Sequence, residues 1–439
     1  MGRGRWIDAL LAAVLALMAV AASYEGARRA PEAISLKEES YDVWFEGDSL
    51  RAYALASTRE PKPAYHYKYH TQKHPLFTLA VLPVVKACRI IFGLSPLEAV
   101  RLVMSFVAAL WVGALFLLLR LVGCRRLDAL LFTLLAASSA SAVFWFTVPE
   151  TWALGSVTLL IPVVLVAWAR DHRVPLWGYV AASAASLSVT VTNWMAGIIA
   201  AFVQLPWRRA ARVTALAFCL VALLWGFHKA LTPRIHFTPA LLGKEPRFMF
   251  QPTSGGPLQI TKAFVFHPIL MPSIAEVKHR KRVGRFRMSV QHSAPGSATP
   301  WGRAGVWLWA GLLGLGAWGA RAAAARQRAA VRTAALILLG QFALHQVYGG
   351  EETFLYSLHW IPFLIVVAAC STLTRVRPLA LALAGALLVC AAANNTHQFA
   401  VASAYTQDYM QRLGALDATE VAAPADLVAM VAKAAERQP

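Results

Sequence analysis

The residues best suited to chemistry lie close together near the start of the chain. Tyr41-Asp42-Val43-Trp44-Phe45-Glu46-Gly47-Asp48 is followed by Lys73-His74-Pro75-Leu76-Phe77, in a polar, aromatic-rich stretch after the first hydrophobic run. Eight of the 22 Asp and Glu residues sit between Tyr24 and Pro75. Carboxylates collected in one extramembrane loop, in a chain that otherwise avoids them, are suited to acid-base work there.

The elements that position this loop are read from composition. Hydrophobic residues make up 58% of the chain and charged residues 15%, against roughly 25% charged in soluble domains. Runs of about 20 apolar residues recur along the chain, each long enough to cross a bilayer. The expected fold is therefore an all-α polytopic membrane protein. Trp6 to Ser23 is long for a signal sequence and is read as the first transmembrane helix. The net charge of +20 does not point to nucleic acid, because the basic residues fall mainly in short loops between apolar spans. Five scattered cysteines, in no metal-ligand spacing, read as inert buried thiols.

Arg/Lys clusters in short loops mark the cytoplasmic side. They occur at Arg3/Arg5, Arg125/Arg126, Arg170/Arg173, Arg208 to Arg212, Arg321 to Arg332 and Arg375/Arg377. Parity then makes Leu76 to Phe92, with Lys86 and Arg89 on one face, an amphipathic helix on the outer surface. The crossings are expected at Leu97–Val122, Asp128–Thr147, Thr151–Ala169, Leu176–Val191, Trp194–Pro206, Ala211–Leu231, Trp301–Ala320, Arg332–Val347, Thr353–Thr372 and Pro378–Ala393. With the first helix this gives about 11 spans and a cytoplasmic N-terminus. Residues 1–393 form one membrane domain with outer loops at 24–96 and 232–300, and 394–439 form a short outer tail. The second loop holds ten Lys/Arg against Glu245 and Glu276. An anionic ligand or lipid headgroup would account for that charge, as would a solvated loop touching anionic lipids.

One N-terminal span is followed by an outer loop with Glu46-Gly47-Asp48, then Lys73-His74-Pro75-Leu76. A surface helix ends in Phe92-Gly93-Leu94-Ser95, and Ala99-Val100-Arg101-Leu102 opens the next span. Over residues 1–150 this order resembles the glycosyltransferase C (GT-C) superfamily, including protein O-mannosyltransferases and lipid A aminoarabinose transferases. Family members often carry Asp-Glu at the acid and Lys-Pro-Pro or His-Pro-Pro later, where this chain has Gly47-Asp48-Ser49 and Lys73-His74-Pro75-Leu76.

The resemblance implies an enzyme of the bacterial inner membrane with a polyprenyl-phosphate sugar donor. An acceptor hydroxyl of a lipid, glycan or protein attacks the anomeric carbon with inversion. Asp48 would be the general base, with Asp42 and Glu46 as rivals that could instead fold the loop. Lys73 and His74, or Lys278, Arg280 and Arg282 of the second loop, would compensate the phosphate charge. Glu150, Asn193, Glu351 and Glu352 are expected on the same face, contacting substrate or a divalent ion, or merely ending helices. No spacing matches a metal motif such as His-Glu-x-x-His, and a divalent ion is the one cofactor this reading leaves open. Two other classes compete. A membrane O-acyltransferase would use an intramembrane histidine such as His345. A polyprenyl-lipid flippase would place polar groups at midplane and show internal repeats; no acid sits in a span centre and no repeat is evident.

Overall fold

The computed structural model describes residues 3–30, 43–58, 73–232, 245–278 and 286–421. Nearly all of them are helical. The helices are α1 (Arg3–Arg29), α2 (Ser49–Ser57), α3 (Phe77–Phe92), α4 (Pro96–Val122), α5 (Arg126–Ala137), α6 (Ala140–Trp145), α7 (Thr151–Trp168), α8 (Leu176–Val189), α9 (Trp194–Gln204), α10 (Trp207–Leu231), α11 (Gly256–Phe266), α12 (Pro300–Val347), α13 (Ile361–Ala369) and α14 (Arg377–Val421). A two-stranded antiparallel hairpin, β1 (Ala275–Lys278) and β2 (Phe286–Ser289), pairs Ala275 with Ser289 and Lys278 with Phe286.

The helices form a bundle with chemically distinct ends. At one end Asp8 of α1 pairs with Arg120 at 3.1 Å and Arg126 at 2.6 Å, and Asp128 pairs with Arg377 at 2.6 Å. At the same end Gln327 donates to the carbonyls of Leu121 (3.1 Å) and Ala167 (3.4 Å). The arginine clusters of the sequence thus fall together. The opposite end collects the acids: Ser23 donates to the Phe146 carbonyl at 2.8 Å, and the Asp48 amide reaches Glu150. Helix α3 has both ends at that acidic end. The Leu76 amide bonds Ser188 beside the end of α8, and the chain turns at left-handed Gly93 into the Ser95–Glu98 capping box of α4. Its buried face is Phe77, Val81, Val85 and Cys88, while Ile90, Ile91 and Phe92 are exposed.

Among the described residues, six helices are long and apolar enough to cross a membrane, or up to seven if a pair bent by 61° at Trp360 counts as one span. That is fewer than the eleven runs expected, for physical reasons. The run Asp128–Thr147 is two helices, because Ser138 and Ser139 end α5 and cap α6. Segment 268–271 of the second loop enters that break: Ala140 and Ser141 donate to the carbonyls of Ile269 and Pro268 at 3.2 and 3.0 Å. Asn395 closes it by donating to Ser138 and Ile269. Ile269, Leu270 and Met271 are consequently core residues, although the sequence placed them in an outer loop. Helices α8 and α9 are short. The two expected runs of α12 are joined through Gln327, whose non-helical backbone (φ −137°, ψ 57°) separates two arms. Helix α14 continues through the first part of the expected tail, where Arg412 approaches Glu276 of β1 at 3.8 Å.

The first arm of α12 packs by its glycines. A Cβ on Gly316 would lie 2.2 Å from the Val367 carbonyl oxygen, and one on Gly319 2.3 Å from that of Cys370. Small residues permit such close approach of two helices. Replacing Gly316 or Gly319 with Ala should destabilise the protein by about 1–3 kcal/mol through overpacking. Gly311→Ala and Gly314→Ala, where nothing lies within 4 Å, should leave stability unchanged. Thermal unfolding in detergent compares the four variants directly; equal midpoints would rule out this packing.

Candidate functional site

The acidic loop is built on a strained turn. Phe45 (φ 47°) and Glu46 (φ 60°) both adopt the left-handed conformation, which costs a non-glycine residue of order 1–3 kcal/mol. Two features hold them there. The Gly47 amide closes the turn on the Trp44 carbonyl at 2.7 Å, and the Phe45 ring is fully buried among Trp44, Phe144, Trp145 and Phe354, with ring centroids 5.5 to 6.5 Å away. From above, the Met288 amide of β2 donates to the Val43 carbonyl at 3.0 Å. The turn aims Glu46 at Arg287, a buried guanidinium with which it forms an ion pair.

Asp48 follows as the residue preceding α2. Its Oδ2 pairs with Arg51 at 2.8 Å, one helical turn on. Its Oδ1 is buried and has no hydrogen-bond partner among the described residues. Glu150 lies behind it, completely buried at the N-terminus of α7. One Glu150 oxygen accepts from the Asp48 amide and the other from the Thr151 amide, both at 2.7 Å. Burial pushes the Glu150 carboxyl up to about 7, and the Asp48 charge pushes the same way, against the two amide donors.

Lys73 reaches the Tyr348 hydroxyl at 2.8 Å and sits 4.8 Å from the Phe248 ring centroid, a cation–π contact. His74 does not act as the expected cation. It is buried, its Nδ1 donates to the Val189 carbonyl at 2.7 Å, and its Nε2 faces the Thr151 hydroxyl at 3.2 Å. Burial holds it well below the usual imidazole range, and the Arg51 charge adds to this. The neutral ring links the loop to α7 and α8.

Glu352, also buried, accepts from the Ser289 hydroxyl at 2.5 Å and the Val290 amide at 3.3 Å. Its Oε1 has no partner among the described residues. Asn193 donates to the Gly155 carbonyl at 3.0 Å, tying the turn between α8 and α9 to α7. His345, the candidate of the acyltransferase reading, is buried, stacks on Tyr356 and has Nδ1 3.3 Å from the Tyr348 carbonyl.

The fold therefore joins Asp48 to Glu150 and Arg51, ties Glu46 and Glu352 to neighbouring residues of β2, and holds Lys73 on Tyr348. Lys278 is solvent-exposed on β1. Glu351 lies in the 3₁₀ segment Gly350–His359. Asp42, Arg280 and Arg282 lie outside the described residues. Sequence reasoning gave no individual role to Arg51, Arg287, Thr151, Ser289 or Tyr348. Arg51 was findable, since an arginine three residues after an aspartate on a helix faces it; the others are partners across long loops. Among the described residues, no group of three His, Cys, Asp or Glu side chains is placed to hold a metal ion. No protein-family model, curated protein or solved structure matches this chain.

The Glu150 carboxyl implies a pH dependence. The unfolded chain loses this proton near 4.5 and the folded chain near 7. Between those values the folded state holds the extra proton, so stability falls as pH rises and levels off above about 7, by about 3 kcal/mol at most. Glu150→Gln keeps one acceptor and places an NH₂ against the second amide. Glu352, pushed up to about 7 by burial, gives both proteins a slope of the same sign. The test is therefore the difference: the stability of the wild type relative to the variant should fall as pH rises from 4.5 to 7 and be constant above. Parallel slopes for the variant and the wild type would assign the dependence to another group.

Proposed function

We propose that this protein is a membrane glycosyltransferase of the GT-C type, with its active site at the acidic end of the bundle. The observation that carries the reading is Asp48: one buried oxygen has no partner among the described residues and the other is fixed by Arg51. A carboxylate so oriented is suited to accept a proton from an incoming hydroxyl. In the proposed step the acceptor oxygen attacks the anomeric carbon of a polyprenyl-phosphate sugar from the face opposite the phosphate. The bond from that carbon to the phosphate oxygen breaks, its electron pair leaves with the polyprenyl phosphate, and the hydroxyl proton passes to Asp48. The product is inverted. Arg51, Lys73 and Arg287 would stabilise the departing phosphate, Arg by bidentate contact. Glu150 acts through the Asp48 backbone and is a positioning residue.

The same reading extends to topology. About 11 crossings follow if the two arms of α12, the broken α5–α6 pair, short α8 and α9, and the bent segment through α13 each cross. The arginine end then faces the cytoplasm of a bacterial inner membrane and the acidic end faces outward.

Purified protein should transfer radiolabelled sugar from one of a panel of polyprenyl-phosphate donors. Asp48→Asn should lower that transfer about 10²–10⁴-fold while donor binding is retained. Undiminished transfer by the variant would remove Asp48 as the base. Donor binding without transfer by the wild type would favour the flippase reading.

A further inference from the structure

A cavity of about 310 Å³ lies between α1, α4, α5, α6 and α14, on the far side of the aromatic cluster from Asp48. Its walls are mainly small and apolar: Ala19 and Ala22 of α1, Ala108 and Val112 of α4, Ala137 of α5 and Ala142 of α6. Thr396 of α14 also lines it, and two of the lining hydroxyls are turned away. Ser23 donates to the Phe146 carbonyl, and Thr147 donates to the carbonyls of Val143 and Phe144 at 3.1 Å. These groups have their hydrogen bonds already, so they demand none from an occupant. An apolar cavity of ~150 Å³ stays dry and takes benzene; this one is about twice that size. Left empty, its walls lack dispersion partners.

The mouth differs from the walls. Glu25 and Arg29 line it and are largely exposed, paired at 3.0 Å through Arg29 Nε. Arg28, the neighbouring residue at the end of α1, is exposed as well. The flank of α1 away from the bundle is apolar and open, with Leu10 63%, Leu17 70% and Met18 53% exposed. An occupant therefore enters from the lipid side, presents a chain to the walls and meets a guanidinium at the mouth. We infer that this cavity is a binding site for a monoanionic phospholipid, one acyl chain filling it and the phosphate resting on Arg29. The inference stands apart from the glycosyltransferase reading, since none of Asp48, Arg51, Lys73, Glu150 and Arg287 lines the cavity.

The test uses the full-length protein in detergent, with phosphatidylglycerol and phosphatidylcholine as probes in native mass spectrometry. The wild type should retain one phosphatidylglycerol, with at least tenfold preference over phosphatidylcholine. Ala108→Phe should abolish that retention by filling the space, and Arg29→Glu should remove the preference while leaving chain binding. Retention unchanged in Ala108→Phe, or preference unchanged in Arg29→Glu, would overturn the inference. A phosphatidylglycerol with a photoreactive acyl chain needs no variant: it should label α1, α4, α5, α6 or α14 of the wild type, and labelling confined to other helices would equally overturn it.

Discussion

The carboxylate of Glu150 is the constraint on which the acidic end rests. It sits at the first turn of α7, where a helix leaves amides unbonded and favours negative charge. One oxygen satisfies its own helix. The other crosses 102 residues of sequence to the Asp48 amide. Without it the Asp48 amide would lose its partner, and a lost partner for a buried donor costs about 1–3 kcal/mol. That is comparable to the strain at either one of Phe45 and Glu46. The strained backbone persists because aromatic packing below, Glu150 behind and β2 above all specify the same conformation.

The cations at this end are ordered by partners on the protein itself. Arg51 lies on Asp48, Lys73 on Tyr348 and Phe248, and Arg287 on Glu46. Side chains already held in one geometry lose less freedom when an anion arrives. The same pairings limit the cost of keeping a buried guanidinium such as Arg287 before any ligand is bound. His74 shows the opposite solution. Fully enclosed, with both ring nitrogens engaged, it remains neutral and serves as packing.

Much of this was legible in the sequence, and what was not has a common cause. Hydropathy and charge located the helices and separated the arginine clusters from the acids, because the bilayer imposes those patterns locally. Parity put both ends of α3 on one side, and the structure has both at the acidic end; Asp48, Glu46, Lys73 and Glu150 were named by type and position. The pairing of Arg287 with Glu46 and of Ser289 with Glu352 was invisible: it depends on where a β-hairpin lands after a long loop, and no local pattern encodes that. The burial of His74 was hidden for a related reason. Spacing identifies a histidine, but burial decides its charge.

The break between α5 and α6 couples these observations. Irregular backbone at depth in a bundle requires partners for every freed amide and carbonyl, and protein must supply them where lipid cannot. Segment 268–271 and Asn395 do so, which draws the second polar loop into the core. The loop that ends in that plug also continues into β1 and β2, and β2 supplies Arg287, Met288 and Ser289 to the acidic end. The break therefore does two things at once. It anchors the hairpin that closes over the acidic turn, and its Ala137 and Ala142 flanks leave beside α1 the cavity assigned to a lipid chain.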